Sequence, residues 1–467
     1  MSDVGQLRAA ITIGSVLTPG DDGYEDSLKR WSATAEKRAA VVVKAANAEE
    51  VAAAIKFAVA NKLPLTARGG GHSSSGTSSS EGMVVDLSNM RAVSVDQDAM
   101  TASFGGGCVF ADLDRVLDPL GLAIVGGVVN HTGVGGLILG GGHGYLTPKH
   151  GLTIDNLLSV QIVTADGSIL EASEKENEDL FWAVRGAGVQ FGVVTRFTSR
   201  IHKQGEVWSG ALVFTPDKLP DLVAAVNDFH NKDNRDGHCL TMGIGYGPDG
   251  TSRVLTVSPF YQGPVDDARK FFSKILDIGP IIDMTTMMTV GQVNQLLNPL
   301  AYHGIRRLMG SGNAVMPLDA ATLQSTADKF WSFCDARPGV GAQSAVAVEF
   351  FPTHKILEVP HDATAYSNRG DYYDVVTMFG WTDEARDGEL RAFNRELVAH
   401  IRDTLGYKYN AREGGDAPVG RYINLETDPV KPEDAYGANL KRLRVVKRKF
   451  DPENVFHKWH GVNVEVE

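Results

Sequence analysis

Glycine placement constrains this chain more than any other feature: of 51 glycines in 467 residues, the densest clusters fall between Gly69 and Gly192. Apolar, structured sequence separates them rather than Ser or Pro runs, so they mark places where main chain turns with positive φ or comes close to something. The first, RGGGHSSSG (Arg68 to Gly76), follows a predicted strand. Gly69, Gly70 and Gly71 let N–H groups converge on an anion such as a diphosphate, with Arg68 adding charge and Ser73 to Ser75 adding hydroxyls. Taken alone, an ordinary tight loop explains it equally well. The second, His131 to Leu157, holds seven glycines in its first fourteen residues, where a large planar or phosphate-bearing ligand could lie against bare backbone. The third, GAGVQFGVV (Gly186 to Val194), imitates a dinucleotide fingerprint with the wrong final spacing and after a helix. Neither a P-loop nor a Rossmann motif is present.

Between the clusters, helices and strands alternate. Asn47 to Glu50 reads as a capping box opening a helix that ends near Lys62, followed by a strand from Leu63 to Ala67. Phe110 to Leu117 is amphipathic and stops at Gly121; Leu180, Phe181 and Val184 give a short helix closed by Gly186. Asp166-Gly167 and Pro248-Asp249-Gly250 are hairpin turns. After about His202 the glycine clusters stop and a new unit begins. Its predicted helices carry Leu222 to Phe229, Ala268 to Ile275, and a long stripe from Leu390 to Leu405 capped by Thr382. Ala345 to Phe351 reads as a buried strand, and the basic run Lys441 to Lys449 as one solvated helix face.

Asp and Glu outnumber Lys and Arg by 57 to 45, a formal charge of −12, so nucleic acid is not an expected partner. Cys108, Cys239 and Cys334 are too few for a disulfide framework and suggest a reducing compartment. The N-terminal stretch lacks a signal-like apolar run and no segment approaches 18 uninterrupted apolar residues; the expectation is a cytoplasmic protein without membrane contact. The sequon at Asn130 therefore reads as accidental. His143, His150, His354 and His361 lack clustered partners at ligand spacing, so no metal is expected. Oligomeric state is not legible.

The order of motifs is more specific than any one of them. RGGGHS, then Gly140 to Asn156 (Gly-Gly-Gly-x-Gly-x-Leu running into Gly-Leu-x-x-Asp-Asn), then Gly186 to Val194, resembles the FAD-linked oxidases of the vanillyl-alcohol oxidase superfamily. Tyr436-Gly437-x-Asn439-x-x-Arg442-Leu443 and Phe450-Asp451-Pro452-x-Asn454-x-Phe456 narrow the resemblance to the berberine-bridge-enzyme-like branch.

The resemblance implies an α+β, two-lobed enzyme. Residues 1–203 and 407–467 would build the FAD-binding domain, and 204–406 a substrate domain of antiparallel sheet backed by helices. His72 matches the histidine that bonds covalently to the flavin; the cysteine of a second link is replaced by Val129, so one bond is expected. Thr132 takes a position where a small β-branched residue goes with oxygen access. Arg68, Gly69, Gly70, Gly71, Ser73, Gly133, Gly135, Gly136, Gly140, Gly141, Gly142, Gly144, Asn156, Gly192, Val193, Val194, Asn424 and Asn454 would line the cofactor, and a histidine common in relatives is Leu137 here. Hydride transfer also needs a group to take an O–H or N–H proton. Glu349 resembles acidic residues with that role, provided it points into the cleft rather than outward. Tyr422 matches a flavin-side tyrosine, His460 a polar flavin neighbour, and Tyr302, with His303 and Arg306, a substrate-facing loop. The implied activity is oxidation of an alcohol, amine or related carbon of a small molecule, a secondary metabolite or sugar-like compound, with dioxygen as acceptor and hydrogen peroxide as product. A dehydrogenase with another acceptor and an oxidative cyclase are the alternatives.

Overall fold

The computed structural model describes residues 4–233, 235–406 and 421–463. Two sheets organise its N-terminal region. Leu65–Arg68, Met83–Asp86 and Val41–Lys44 run parallel, with Ser15–Leu17 antiparallel at the edge. The helix Ala48–Ala60 covers this sheet, burying Val51, Ala54, Ile55 and Ala58. Its start is half of the expected box: the Asn47 side chain accepts from Glu50 N at 2.9 Å, but the Glu50 carboxylate turns away to accept from the N–H groups of Ile13 and Ala46. A tertiary demand from the N-terminal segment outcompetes the local reciprocal bond.

The second sheet is antiparallel in the order Val93–Asp96, Thr101–Gly105, Val193–Arg200, Leu157–Val163, Ile169–Ser173. The Asp166-Gly167 hairpin joins its last two strands. The core under this sheet also takes in Tyr422, Val430, Tyr436, Leu440, Leu443 and Val462, so the C-terminal segment packs where the first two hundred residues do.

A nine-stranded antiparallel sheet dominates the middle of the chain. The hairpin at Pro248-Asp249-Gly250 joins Cys239–Tyr246 to Arg253–Tyr261, and Ala345–Phe350 lies between Cys239–Tyr246 and Tyr373–Trp381. Along Ala345–Phe350 burial alternates: Val346, Val348 and Phe350 enter the core shared with the helices Leu219–His230, Ala320–Asp335 and Asp387–Thr404, while Ala345, Ala347 and Glu349 point the other way. That alternation decides which way Glu349 faces.

Three expectations need correction. Ala268 to Ile275 is two pieces, Val265–Phe271 and Ser273–Leu276, broken at Phe272, whose backbone leaves the helical region (φ −95°, ψ 17°) while its ring stacks on Trp208 and Phe229. The long helix starts at Asp387 rather than after Thr382; Asp383 instead caps a preceding 3-10 turn, Glu384–Arg386. The basic run is not wholly solvated: in the helix Leu440–Phe450, Lys447 is fully buried against Asp451. The stretch 407–420 lies outside the described residues. No helix among the described residues is long and apolar enough to cross a membrane, and the three cysteines are free and buried.

The helix Val290–Val293 docks on Phe110–Leu117 through carboxylates: Asp114 accepts from Asn294 Nδ2 at 3.2 Å and Asp118 from Thr289 Oγ1 at 2.5 Å. Burial, opposed by the Asn294 hydrogen bond and reinforced by Asp118, pushes Asp114 up to about 7. The folded protein therefore keeps a proton that the unfolded chain releases near the ordinary value of 3.8, and stability should fall as pH rises from there through about 7. In Asp114→Asn that slope is removed; parallel thermal melts across this range check it, and identical slopes would refute it.

Candidate active site

The loop after Leu65–Arg68 meets the start of the helix Val134–Leu139 backbone to backbone. A Cβ on Gly70 would lie 2.6 Å from both Cα and N of Gly133, and one on Gly133 would lie 2.4 Å from Gly70 N. Bare chain on both sides is thus a steric requirement. At Gly136 nothing lies within 4 Å of a Cβ, so the helix presents open space there. Arg68 directs its guanidinium to the buried Asp86 carboxylate.

His72 projects from this junction. Its ring stacks on Trp31 (centroids 4.3 Å, planes 11° apart), with His131 at 4.9 Å and His303 at 6.4 Å. Trp31 is held by its own Nε1, which donates to the Ala301 carbonyl at 2.6 Å. His72 Nε2 is shut off from solvent without a hydrogen-bond partner, although the residue as a whole is partly exposed. Burial, followed by the neighbouring His131 and His303, holds its imidazole well below the ordinary histidine value.

A second cluster lies where the middle sheet faces the glycine-rich segment. Glu349 and Asp374 are register partners on adjacent strands, both on the face away from the helices. His143, from the Gly140 to Gly144 turn, inserts between them: its Nε2 is 2.9 Å from Glu349 Oε2 and its Nδ1 is 3.8 Å from Asp374 Oδ2. All three side chains are at most 15% exposed. Burial raises Asp374 to about 6 against the pull of His143, with Glu349 adding to the rise. For His143, burial works downward, but the hydrogen bond to Glu349 and the two carboxylate charges outweigh it, and the net shift is upward. One ligand atom from each of the three lies within 4.8 Å of the others, a grouping that could also hold a metal ion. The histidine spacing gave no hint of it, since the partners of His143 are two carboxylates from distant strands.

Tyr422 closes the cluster, its ring 4.7 Å from that of His143. Asn424 Nδ2 donates to the Tyr422 hydroxyl at 3.0 Å and to the Leu137 carbonyl at 2.9 Å. Gly140 is needed here, because a Cβ would fall 2.1 Å from Asn424 Oδ1. Phe351, Tyr366 and Tyr372 join His143, Glu349 and Asp374 around a cavity. At Gly141 (φ +119°) a side chain would strike the Tyr366 ring, and at Gly186 (φ +127°) the Tyr366 main chain.

Other sequence-derived candidates sit elsewhere. Tyr302 is 41% exposed, with the Arg307 guanidinium over its ring. His460 Nδ1 accepts from Val430 N at 2.9 Å and its Nε2 is buried without a partner. Asn156 clamps the turn before it, donating to the carbonyls of His150 and Leu152. Gly192 lies against the Val163 carbonyl, and Val193 and Val194 continue as strand. Gly142 and Gly144 pack on Thr153 and the Gly126 carbonyl, Gly135 on the Gly106 carbonyl. Asn454 occupies the bend after Leu440–Phe450 with φ +53°. Ser73 and Ser75 hydroxyls bond each other, while Ser74 reaches Thr427 Oγ1 at 2.7 Å. Thr132 contributes its carbonyl to Phe110 N. Trp31, Asp374 and His143 as a partner of Glu349 were missed; only folding brings them in.

Comparison with known proteins decides the family. An FAD binding domain model matches residues 39–173 and a berberine and berberine-like model residues 421–463. An FAD-linked oxidoreductase, pgmH, of Aspergillus terreus is 35% identical over 98% of this chain and 96% of its own length. The chain belongs to the berberine-bridge-enzyme-like FAD-linked oxidoreductases. A (R)-6-hydroxynicotine oxidase of Paenarthrobacter nicotinovorans is 28% identical over 97% of each chain. The crystal structure of 6-hydroxy-D-nicotine oxidase from Arthrobacter nicotinovorans superposes with a TM-score of 0.82, covering 97% of this chain and 98% of that one, at 26% identity. The α+β architecture of this FAD-linked oxidoreductase is therefore that of the vanillyl-alcohol oxidase superfamily.

Its residues fit an FAD. The Gly70–Gly133 contact leaves main chain bare where a Cβ would otherwise stand, Gly136 opens on free space, and the unpartnered His72 nitrogen lies at the same junction.

Proposed function

We propose that this oxidoreductase is an oxidase whose FAD is attached through His72 and whose substrate is a small alcohol, amine or related C–H donor. The carrying observation is the His143–Glu349–Asp374 cluster, with Tyr422, facing the glycine-lined segment. A bound FAD supplies acceptance of a hydride from substrate carbon, with dioxygen as the final electron acceptor and hydrogen peroxide as product. Gly69 to Gly71 and Thr132 to Gly136 would hold it.

The protein's own part is proton handling and exclusion of water. Glu349 accepts the substrate O–H or N–H proton, because its carboxylate lines the cavity and one oxygen remains beyond the bond to His143. His143 fixes that carboxylate and shares the charge with Asp374 across the register pair. The Tyr422 hydroxyl, oriented by Asn424, holds the substrate heteroatom. Phe351, Tyr366 and Tyr372 keep the surroundings apolar, which strengthens each of these interactions.

The test has two arms. Donors that bleach the protein's colour under nitrogen should yield peroxide in air, with Glu349→Gln slowing bleaching about 10²-fold or more. Acid precipitation should leave the flavin in the pellet of the natural chain and release it from His72→Ala. Turnover with a dye but no peroxide overturns the oxidase reading; colour in the His72→Ala pellet overturns the attachment.

A further inference from the structure

Three imidazoles converge beside the glycine junction, yet the proposed oxidation uses only one of them. His72 is partly exposed with a closed-off Nε2, His131 is partly exposed, and His303 is exposed to solvent. Their rings form a chain: His72 to His131 at 4.9 Å and His131 to His303 at 5.0 Å. Neither nitrogen of His131 makes a hydrogen bond of ordinary geometry, although the Ala301 carbonyl, which also accepts from Trp31 Nε1, and its own backbone act on it electrostatically. Polar nitrogens closed off from solvent without a strong partner are costly to keep for packing alone.

We propose that His131 is the proton acceptor through which His72 becomes covalently joined to the flavin, and that His303 passes that proton to solvent. The inference rests on the reading of His72 as the attachment residue. Joining the cofactor's methyl carbon to an imidazole nitrogen breaks one C–H and one N–H bond and forms one C–N bond. Two protons and two electrons leave, and dioxygen takes both pairs as hydrogen peroxide. The N–H proton is the one that His131 would accept.

Of the side chains around His72, only the imidazoles of His131 and His303 carry a free lone pair, and His131 is the nearer, 4.9 Å against 6.4 Å between ring centroids. Trp31 Nε1 is a donor and already engaged, and the Arg307 guanidinium, 5.2 Å over the Trp31 ring, is a donor only. Burial, then the charges of His303 and Arg307, keep His131 near 4, so it is neutral with a free lone pair and does not retain a proton it receives. The Trp31 stack fixes the plane of His72, which lies 32° from that of His131.

The test follows bond formation rather than turnover. Full-length chain prepared without flavin is mixed with FAD, and protein-bound fluorescence is read after denaturation as a function of time. His131→Ala and His131→Gln should bind FAD but form the bond at least about tenfold more slowly than the natural chain. Free imidazole should accelerate His131→Ala and leave the natural chain unchanged, and His303→Gln should show a smaller delay. His131→Gln attaching at the natural rate overturns the proposal. So does slowing without imidazole rescue, or loss of FAD binding in both variants, since either makes His131 a packing residue. Fluorescence remaining with denatured His72→Ala would overturn the attachment reading instead, a separate result from the same gel.

Discussion

Gly70→Ala should yield a folded protein that no longer retains flavin. The new methyl would stand 2.6 Å from Gly133 Cα and N, and backbone hydrogen bonds on both sides resist separation. Val134 N is tied to the Cys108 carbonyl at 3.0 Å and Phe110 N to the Thr132 carbonyl at 3.1 Å, while Trp31 N holds the Gly71 carbonyl at 3.0 Å. Overpacking of this kind costs about 1–3 kcal/mol, less than the ~5–15 kcal/mol that keeps a domain folded, so the two loops part and the chain survives. Gly205→Ala is the matched control, since its methyl meets nothing within 4 Å and the residue is not one that would hold the cofactor. The ratio of flavin to protein absorbance after purification, read with a far-ultraviolet melt, checks both. A Gly70→Ala protein with full flavin content would show that the junction is not the cradle.

Lys447→Ala should be among the most destabilising single changes in the described residues. The ammonium is 0% exposed, sits 2.7 Å from Asp451 Oδ2, and also donates to the carbonyls of Gln190 and Phe456. Asp451 in turn accepts from Val455 N and Phe456 N at 2.8 Å. Removing the cation strands a buried carboxylate and two carbonyls, for which about 3–5 kcal/mol is the expected loss. Lys447→Met combined with Asp451→Asn should recover part of it, because no uncompensated charge remains. Denaturant melts of the three proteins measure this; a single variant as stable as the natural chain would mean that the pair is dispensable.

Local features of the fold were legible because their causes are local. The Asp166-Gly167 and Asp249-Gly250 turns, the Ala48–Ala60 helix and the stop at Gly186 follow from residues within a few positions of one another. The glycine clusters marked the close approach of Gly70 to Gly133 because steric exclusion leaves a direct trace in composition. Where the reading failed, a distant partner intervened: Ile13 and Gly14 drew the Glu50 carboxylate off its box, and Asp451 drew Lys447 into the interior.

The His143–Glu349–Asp374 cluster was half legible. Glu349 could be singled out on its strand, but its direction depends on which face of the sheet the helices cover, a property of elements far along the chain. His143 and Glu349 are 206 positions apart, and no periodicity links them. Asp374 became visible only through its register with Glu349. Trp31 carried no signal at all, since a stacking platform for an imidazole looks in sequence like any buried tryptophan.

The Ser74–Thr427 hydroxyl pair ties the loop carrying His72 to the C-terminal segment, and the same Thr427 oxygen accepts from Met309 N at 2.7 Å. Three stretches of chain meet at that one atom. The loop carrying His72 therefore gains this contact only after the chain has been synthesised as far as Thr427, 353 residues after Ser74 in the loop itself.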